Sequence, residues 1–190
     1  MRHISSIIMK ISGWKLTDSR PIDKKAVIIA APHTSAWDFI IGKLAFSTFG
    51  VKINVLIKKE FFKPVLGPIL RFMGAIPVDR GNRKSNLLDQ IVNEFKTRDE
   101  ILLVVTPEGS RKKRDKWKRG FYEIAMAAGV PIYIGKLDYK KKTCDLGERF
   151  IPTGDFNKDI AYIQSQYKEV NAKYPENFSW GERFYGKNNE

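Results

Sequence analysis

The chain has 190 residues, 43% of them hydrophobic, about the size of one large domain with material for a real core, so a single domain spanning 1–190 is expected. Its 34 basic and 21 acidic residues give a formal charge of +13, which points to an anionic partner: nucleic acid, an anionic membrane surface or a phosphorylated small molecule. Cys144 is the single cysteine, which excludes an intramolecular disulfide and fits a reducing compartment, and two histidines exclude a histidine-rich metal site.

The chain opens with Ile4, Ile7, Ile8, Ile11 and Trp14 at helical spacing, separated by polar residues, which predicts an amphipathic helix within 1–20. Two readings fit that face: a helix lying on a membrane, or one covering the domain's own core. Lys25–Ala31 reads as a buried strand, Ala36 to Phe49 as a helix stopped by Gly50, and Val51 to Ile57 as a second strand. Glu60 to Met73 is apolar, basic and interrupted by Pro64 and Pro68, either an interfacial segment or a kinked core helix. A short strand over Ala75–Val78 follows, then a helix carrying Leu87, Leu88, Ile91, Val92 and Phe95, and an apolar strand over Ile101–Val105.

Phe121 to Ala128 predicts a helix before Gly129, Pro131 to Leu137 a strand, and Tyr139–Lys142 a solvated turn. A strand around Arg149 to Ile151, a helix from about Ile160 to Ala172 and an aromatic tail complete the chain. Strands alternating with helices give an α/β domain, a mixed but mostly parallel sheet flanked by helices, with a motif-bearing core at 25–137 and a C-terminal part at 138–190. No run approaches the ~18–20 apolar residues that span a bilayer, and the start lacks the features of a signal peptide, so a soluble or peripheral protein is expected.

The chemistry gathers where strands end. Pro32 and Ser35 bracket His33 on the loop after the first strand: Pro32 disfavours helix at Ala31, and Ser35 can cap a helix starting at Ala36. Asp38 then falls in the first helical turn, able to reach back to His33, although Ser35-x-x-Asp38 also reads as a capping box. On one continuous helix positions i and i+5 stand roughly 140° apart, so the loop is what lets the two meet. Pro107-Glu108-Gly109-Ser110-Arg111 follows another apolar strand, and Arg80 a third. In such a sheet these loops share one edge, where α/β ligand sites form.

Four blocks in order, His33-x4-Asp38, Gly74 to Arg80, Pro107 to Arg111 and Val130-Pro131-Ile132, resemble the glycerolipid acyltransferase family that includes 1-acyl-glycerol-3-phosphate acyltransferases. About 24 residues precede the first strand, so the likeness is to a short form without a transmembrane N-terminus. The resemblance implies that His33 is the general base, that Asp38 orients it, and that Arg80 and Arg111 hold the acceptor phosphate. It implies that Glu108 orients those arginines or the acceptor, with Gly109 and Ser110 beside it. Thr106 replaces the family's usual phenylalanine and Ser110 its threonine, and neither change removes a catalytic group.

The chemistry agrees: an alcohol is a poor nucleophile and benefits from a base titrating near ~6.5, as histidine does. Direct transfer from a thioester needs no acyl-enzyme, and no serine or cysteine nucleophile motif is present. A backbone amide near Gly109 or His33 can serve the oxyanion. The resemblance implies acyl-coenzyme A or acyl-carrier protein as co-substrate with no bound cofactor, a lysophospholipid acceptor, and peripheral attachment to the cytoplasmic face of the membrane. Lysophosphatidate is the expected acceptor and another lyso-lipid, such as an amino-acid lipid, the alternative. Arg111–Arg119, seven basic residues in nine around Trp117, suits coenzyme A phosphates, an acidic carrier or anionic headgroups, and otherwise reads as a solvated loop. A non-catalytic basic domain on anionic membrane or nucleic acid is the reading from another class. With the four blocks present, no nucleic acid is expected.

Overall fold

The computed structural model describes residues 2–17, 20–79 and 84–181, with one seven-stranded sheet in the order β1-β7-β6-β2-β5-β3-β4. In chain order the elements are α1 (Arg2–Ile11), β1 (Lys15–Leu16), β2 (Lys25–Ala31), α2 (Ala36–Thr48), β3 (Asn54–Lys58), α3 (Leu66–Phe72), β4 (Ala75–Val78) and α4 (Lys84–Thr97). They continue as β5 (Ile101–Val105), α5 (Gly120–Ala128), β6 (Ile132–Asp138), β7 (Thr143–Phe150) and α6 (Phe156–Ser165). All neighbours pair parallel except β6 and β7, so the sheet is mixed and mostly parallel, as the alternation of strands and helices predicts.

β2 lies between β5 and β6, with Val27 in register with Leu103 and Ile132. Both of its faces are covered, which is why its sequence is a continuous apolar run without alternation. Val27, Ile29 and Ala31 pack into a core with Ile91 and Phe95 of α4, Phe121 and Ile124 of α5, and Ile160 and Ile163 of α6. Ala26 and Ile28 face the other way, against Met9 of α1 and Ile41, Ala45 and Phe46 of α2.

Differences from the expected elements have local causes. The N-terminal helix stops at Ile11, where the chain turns through Gly13 at φ 76°, and Lys15 and Leu16 pair with Thr143 and Cys144 of β7. β7 is longer than expected because Tyr139–Lys142 closes a hairpin between β6 and β7, with the Lys141 amide donating to Asp138 Oδ1 at 2.9 Å. α6 starts at Phe156, ahead of Ile160, because Asp155 caps it by accepting from the Asn157 and Lys158 amides at 3.0 and 3.2 Å.

The isoleucines of α1 do not cover the core. Ser5 and Met9 face inward, Ser5 donating to Ser47 of α2 at 3.0 Å, while Ile4, Ile7, Ile8 and Ile11 are exposed, Ile11 at 83%. The 60–73 segment is no core helix either: Phe61, Val65, Leu66, Ile69 and Phe72 are exposed, Phe72 at 79%. Among the described residues no helix is long and apolar enough to cross a membrane.

Candidate active site

Three adjacent parallel strands end together: β2 runs into His33, β5 into Glu108 and β6 into Tyr139. The Ala31–Pro32 peptide is cis, and Ser35 caps α2 by accepting from the Trp37 amide at 3.2 Å. Asp38 occupies the third position of that helix and completes the capping box, its Oδ2 accepting from the Thr34 and Ser35 amides, each at 2.7 Å. The same oxygen lies 3.6 Å from His33 Nδ1. That is longer than a hydrogen bond, yet it is the reach of an ion pair once the imidazole takes a proton. Capping and orientation are therefore one arrangement here: the backbone amides aim the carboxylate, and the loop brings the ring to it.

The Tyr139 hydroxyl donates to the second oxygen, Asp38 Oδ1, at 2.6 Å. Burial pushes the Asp38 carboxyl upward, but the nearby His33 ring and the donors from Tyr139, Ser35 and Thr34 outweigh it and hold the group below its ordinary value, ionised at neutral pH.

Glu108 is 3% exposed. Its two oxygens accept from the His33 amide at 3.0 and 3.1 Å, so this carboxyl braces the loop that carries the imidazole. Burial pushes its pKa up to about 8, the His33 amide opposes that rise, and the Asp38 charge adds to it. Gly109 follows at φ 66°, with the Lys118 side chain folded so closely over it that a β-carbon there would stand 2.5 Å from Lys118 Cε.

A cavity of about 680 Å³ is lined by His33, Asp38, Gly109 and Lys118 together with the apolar Phe39, Phe46 and Ile53 and with Gly42 of α2. Lys43, also on its wall, donates to the Met73 carbonyl at 2.7 Å and ties α2 to the end of α3.

The structure thus brings together His33, Asp38, Glu108 and Gly109. Glu108 meets the His33 main chain, where the resemblance implied contact with arginines or acceptor. Ser110 is on the same loop, its hydroxyl donating to the Lys112 carbonyl at 3.0 Å, and Arg111 is exposed beside it. Arg80 lies outside the described residues, and its neighbour Asp79 pairs with Lys59. Trp117 does not belong to a basic surface: it is 1% exposed, donates to the Ser179 carbonyl at 2.9 Å and packs on Tyr167.

The sequence offers Lys118 only as one cation of the Arg111–Arg119 run and does not single out Tyr139. The first was hidden in a charge run, and the second sits in what reads as a solvated turn. The available signal for Tyr139 was topological, since it follows the carboxyl end of the strand beside β2. Among the described residues no group of three His, Cys, Asp or Glu side chains is placed to hold a metal ion.

The sequence matches the model of the acyltransferase family over residues 14–133, a stretch that holds His33, Asp38 and 108–111 and ends before Tyr139. It is 33% identical over 129 residues to the 1-acyl-sn-glycerol-3-phosphate acyltransferase of Streptococcus pneumoniae (strain ATCC BAA-255 / R6), covering 65% of this chain and 47% of that protein. The chain therefore spans about half the length of this curated relative. The fold is similar to the crystal structure of the 1-acyl-sn-glycerophosphate acyltransferase PlsC from Thermotoga maritima, with a TM-score of 0.62 at 17% identity over 88% of this chain and 75% of that one.

Proposed function

Because the chain belongs to the acyltransferase family, we propose that it moves a fatty acyl group from an acyl thioester to the free hydroxyl of lysophosphatidate, in phospholipid synthesis at the cytoplasmic face of the membrane. The observation that carries this reading is His33 Nδ1 at 3.6 Å from the Asp38 carboxylate on the wall of a largely apolar cavity. With Nδ1 turned to Asp38, Nε2 is the atom that takes the proton from the acceptor hydroxyl as its oxygen attacks the thioester carbonyl. The tetrahedral intermediate then collapses, the C–S bond breaks, and the departing thiolate receives that proton from the imidazolium. Asp38, ionised throughout, stabilises the imidazolium between the two steps. No acyl-enzyme forms and no bound cofactor takes part; acyl-coenzyme A or acyl-carrier protein is the co-substrate.

The cavity along Phe39, Gly42 and Phe46 suits an acyl tail, and Lys118 on its wall with Arg111 on the adjoining loop suits a phosphate. Arg80 has the same proposed role, and Glu108, Gly109 and Ser110 shape the loop that receives the acceptor. The exposed isoleucines of α1 and the exposed apolar residues of α3, with Arg2, Lys10, Lys63 and Arg71 near them in the chain, support docking on an anionic bilayer, so that acceptor and tail enter from the lipid.

The test is transfer to lysophosphatidate by the purified protein, with acyl-coenzyme A and acyl-carrier protein as donors, native against His33→Ala. Transfer by the native protein, lost by at least about 100-fold in the variant, is the expected result. A variant as active as the native protein removes His33 as the base. A native protein that acylates a lyso-amino-acid lipid instead reassigns the acceptor, and one inactive toward every lyso-lipid overturns the reading.

A further inference from the structure

The Asp38 carboxylate is held unevenly by its own loop. Both main-chain donors, Thr34 and Ser35, reach Oδ2, the oxygen that also faces His33 Nδ1. A carboxylate fixed through one oxygen keeps a rotational freedom about that oxygen, and such rotation swings the lone pairs away from the imidazole. The second oxygen has its donor from far along the chain, in the Tyr139 hydroxyl at 2.6 Å.

Tyr139 is itself well located. Its amide donates to the Asn171 carbonyl at 2.8 Å, and its ring meets that of Trp14 in a T-shaped contact at 5.1 Å between centroids and 87° between planes. Burial and the Asp38 charge push its pKa far upward, so the phenol stays protonated and remains a donor throughout the working range.

We infer that Tyr139 is a positioning residue of this site: its hydroxyl locks the plane of the Asp38 carboxylate and through it the ring of His33. The inference rests on the reading of His33 as the base. It adds a third member from outside the loop that carries the other two, delivered by the turn between β6 and β7.

Tyr139→Phe keeps the ring against Trp14 and removes only the hydroxyl. We expect kcat to fall about tenfold while both KM values stay within about twofold, the signature of lost orientation with binding intact. In an Asp38→Ala background the same change should add less than about twofold, because the group it acts through is gone.

A readout independent of activity is available, since the chain has two histidines, His3 and His33. In protein labelled with ¹⁵N-histidine, Tyr139→Phe should shift the His33 ring resonances and leave those of His3 in place. Unchanged kcat and unchanged His33 resonances, with the native protein active and His33→Ala dead, overturn the inference while the base assignment stands. A full additional tenfold loss on top of Asp38→Ala also overturns it. Activity retained in His33→Ala overturns the base and this inference together.

Discussion

Glu108→Gln removes the titration of a buried carboxyl while keeping an oxygen that can accept from the His33 amide. The ordinary glutamate value is 4.5, and burial pushes Glu108 up to about 8 in the folded protein. The folded state therefore holds a proton that the unfolded chain has released, and stability falls as pH rises from about 4.5 through 8. Between pH 6 and 9 this linkage removes about 3 kcal/mol from the native protein and nothing from the glutamine variant. Urea unfolding of both proteins at intervals across that range measures it, because the remaining titratable groups are common to the two and cancel in the difference. The native protein should lose stability relative to the variant as pH rises. Parallel curves would refute a protonated Glu108 at neutral pH, and with it the idea that a neutral carboxyl braces the loop of the base.

Gly42 lines the cavity from the middle of α2, with open space where a β-carbon would stand. Gly42→Leu should stabilise the helix by up to about 1 kcal/mol and cut transfer of long acyl chains about tenfold relative to short ones; an unchanged chain-length profile places the tail elsewhere. Changing Ile7 and Ile11 together to serine should weaken binding to anionic vesicles at least about tenfold with the melting temperature unaffected, since both side chains are exposed; co-sedimentation measures it, and unchanged binding rejects α1 as the anchor. Gly109→Ala places a side chain at φ 66° and against Lys118, so a loss of about 1–2 kcal/mol of stability is expected, together with a raised acceptor KM that Lys118→Ala reproduces.

Much of the architecture was legible because burial writes itself into composition. β2 and β5 are covered on both faces and read as unbroken apolar runs, and Ala75–Val78 and Ile101–Val105 occupy the residues expected of them. The His33 loop was legible too, since a proline before and a capping serine after leave little choice of backbone. The outward face of α1 was not, because helical periodicity reports that one face is apolar without reporting what covers it. Trp117 shows the converse, an aromatic inside a basic run whose indole is core. Glu108 and Tyr139 depend on contacts across 75 and 101 residues, respectively, and no local pattern encodes the partner of a carboxyl or a phenol at that separation.

The order in which the sheet is assembled bears on when the site can exist during synthesis. β2 emerges early, yet one of its neighbours, β6, and the Tyr139 that follows it come more than 100 residues later, and β1 waits as long for its partner β7. A nascent chain that has already presented His33, Asp38 and Glu108 still lacks the strand that closes one side of β2 and the hydroxyl on Asp38. α1, by contrast, carries its exposed isoleucines from the moment it is made. The α1 face is thus formed before the carboxylate and imidazole are set, and their arrangement is complete only once the hairpin of β6 and β7 is laid down.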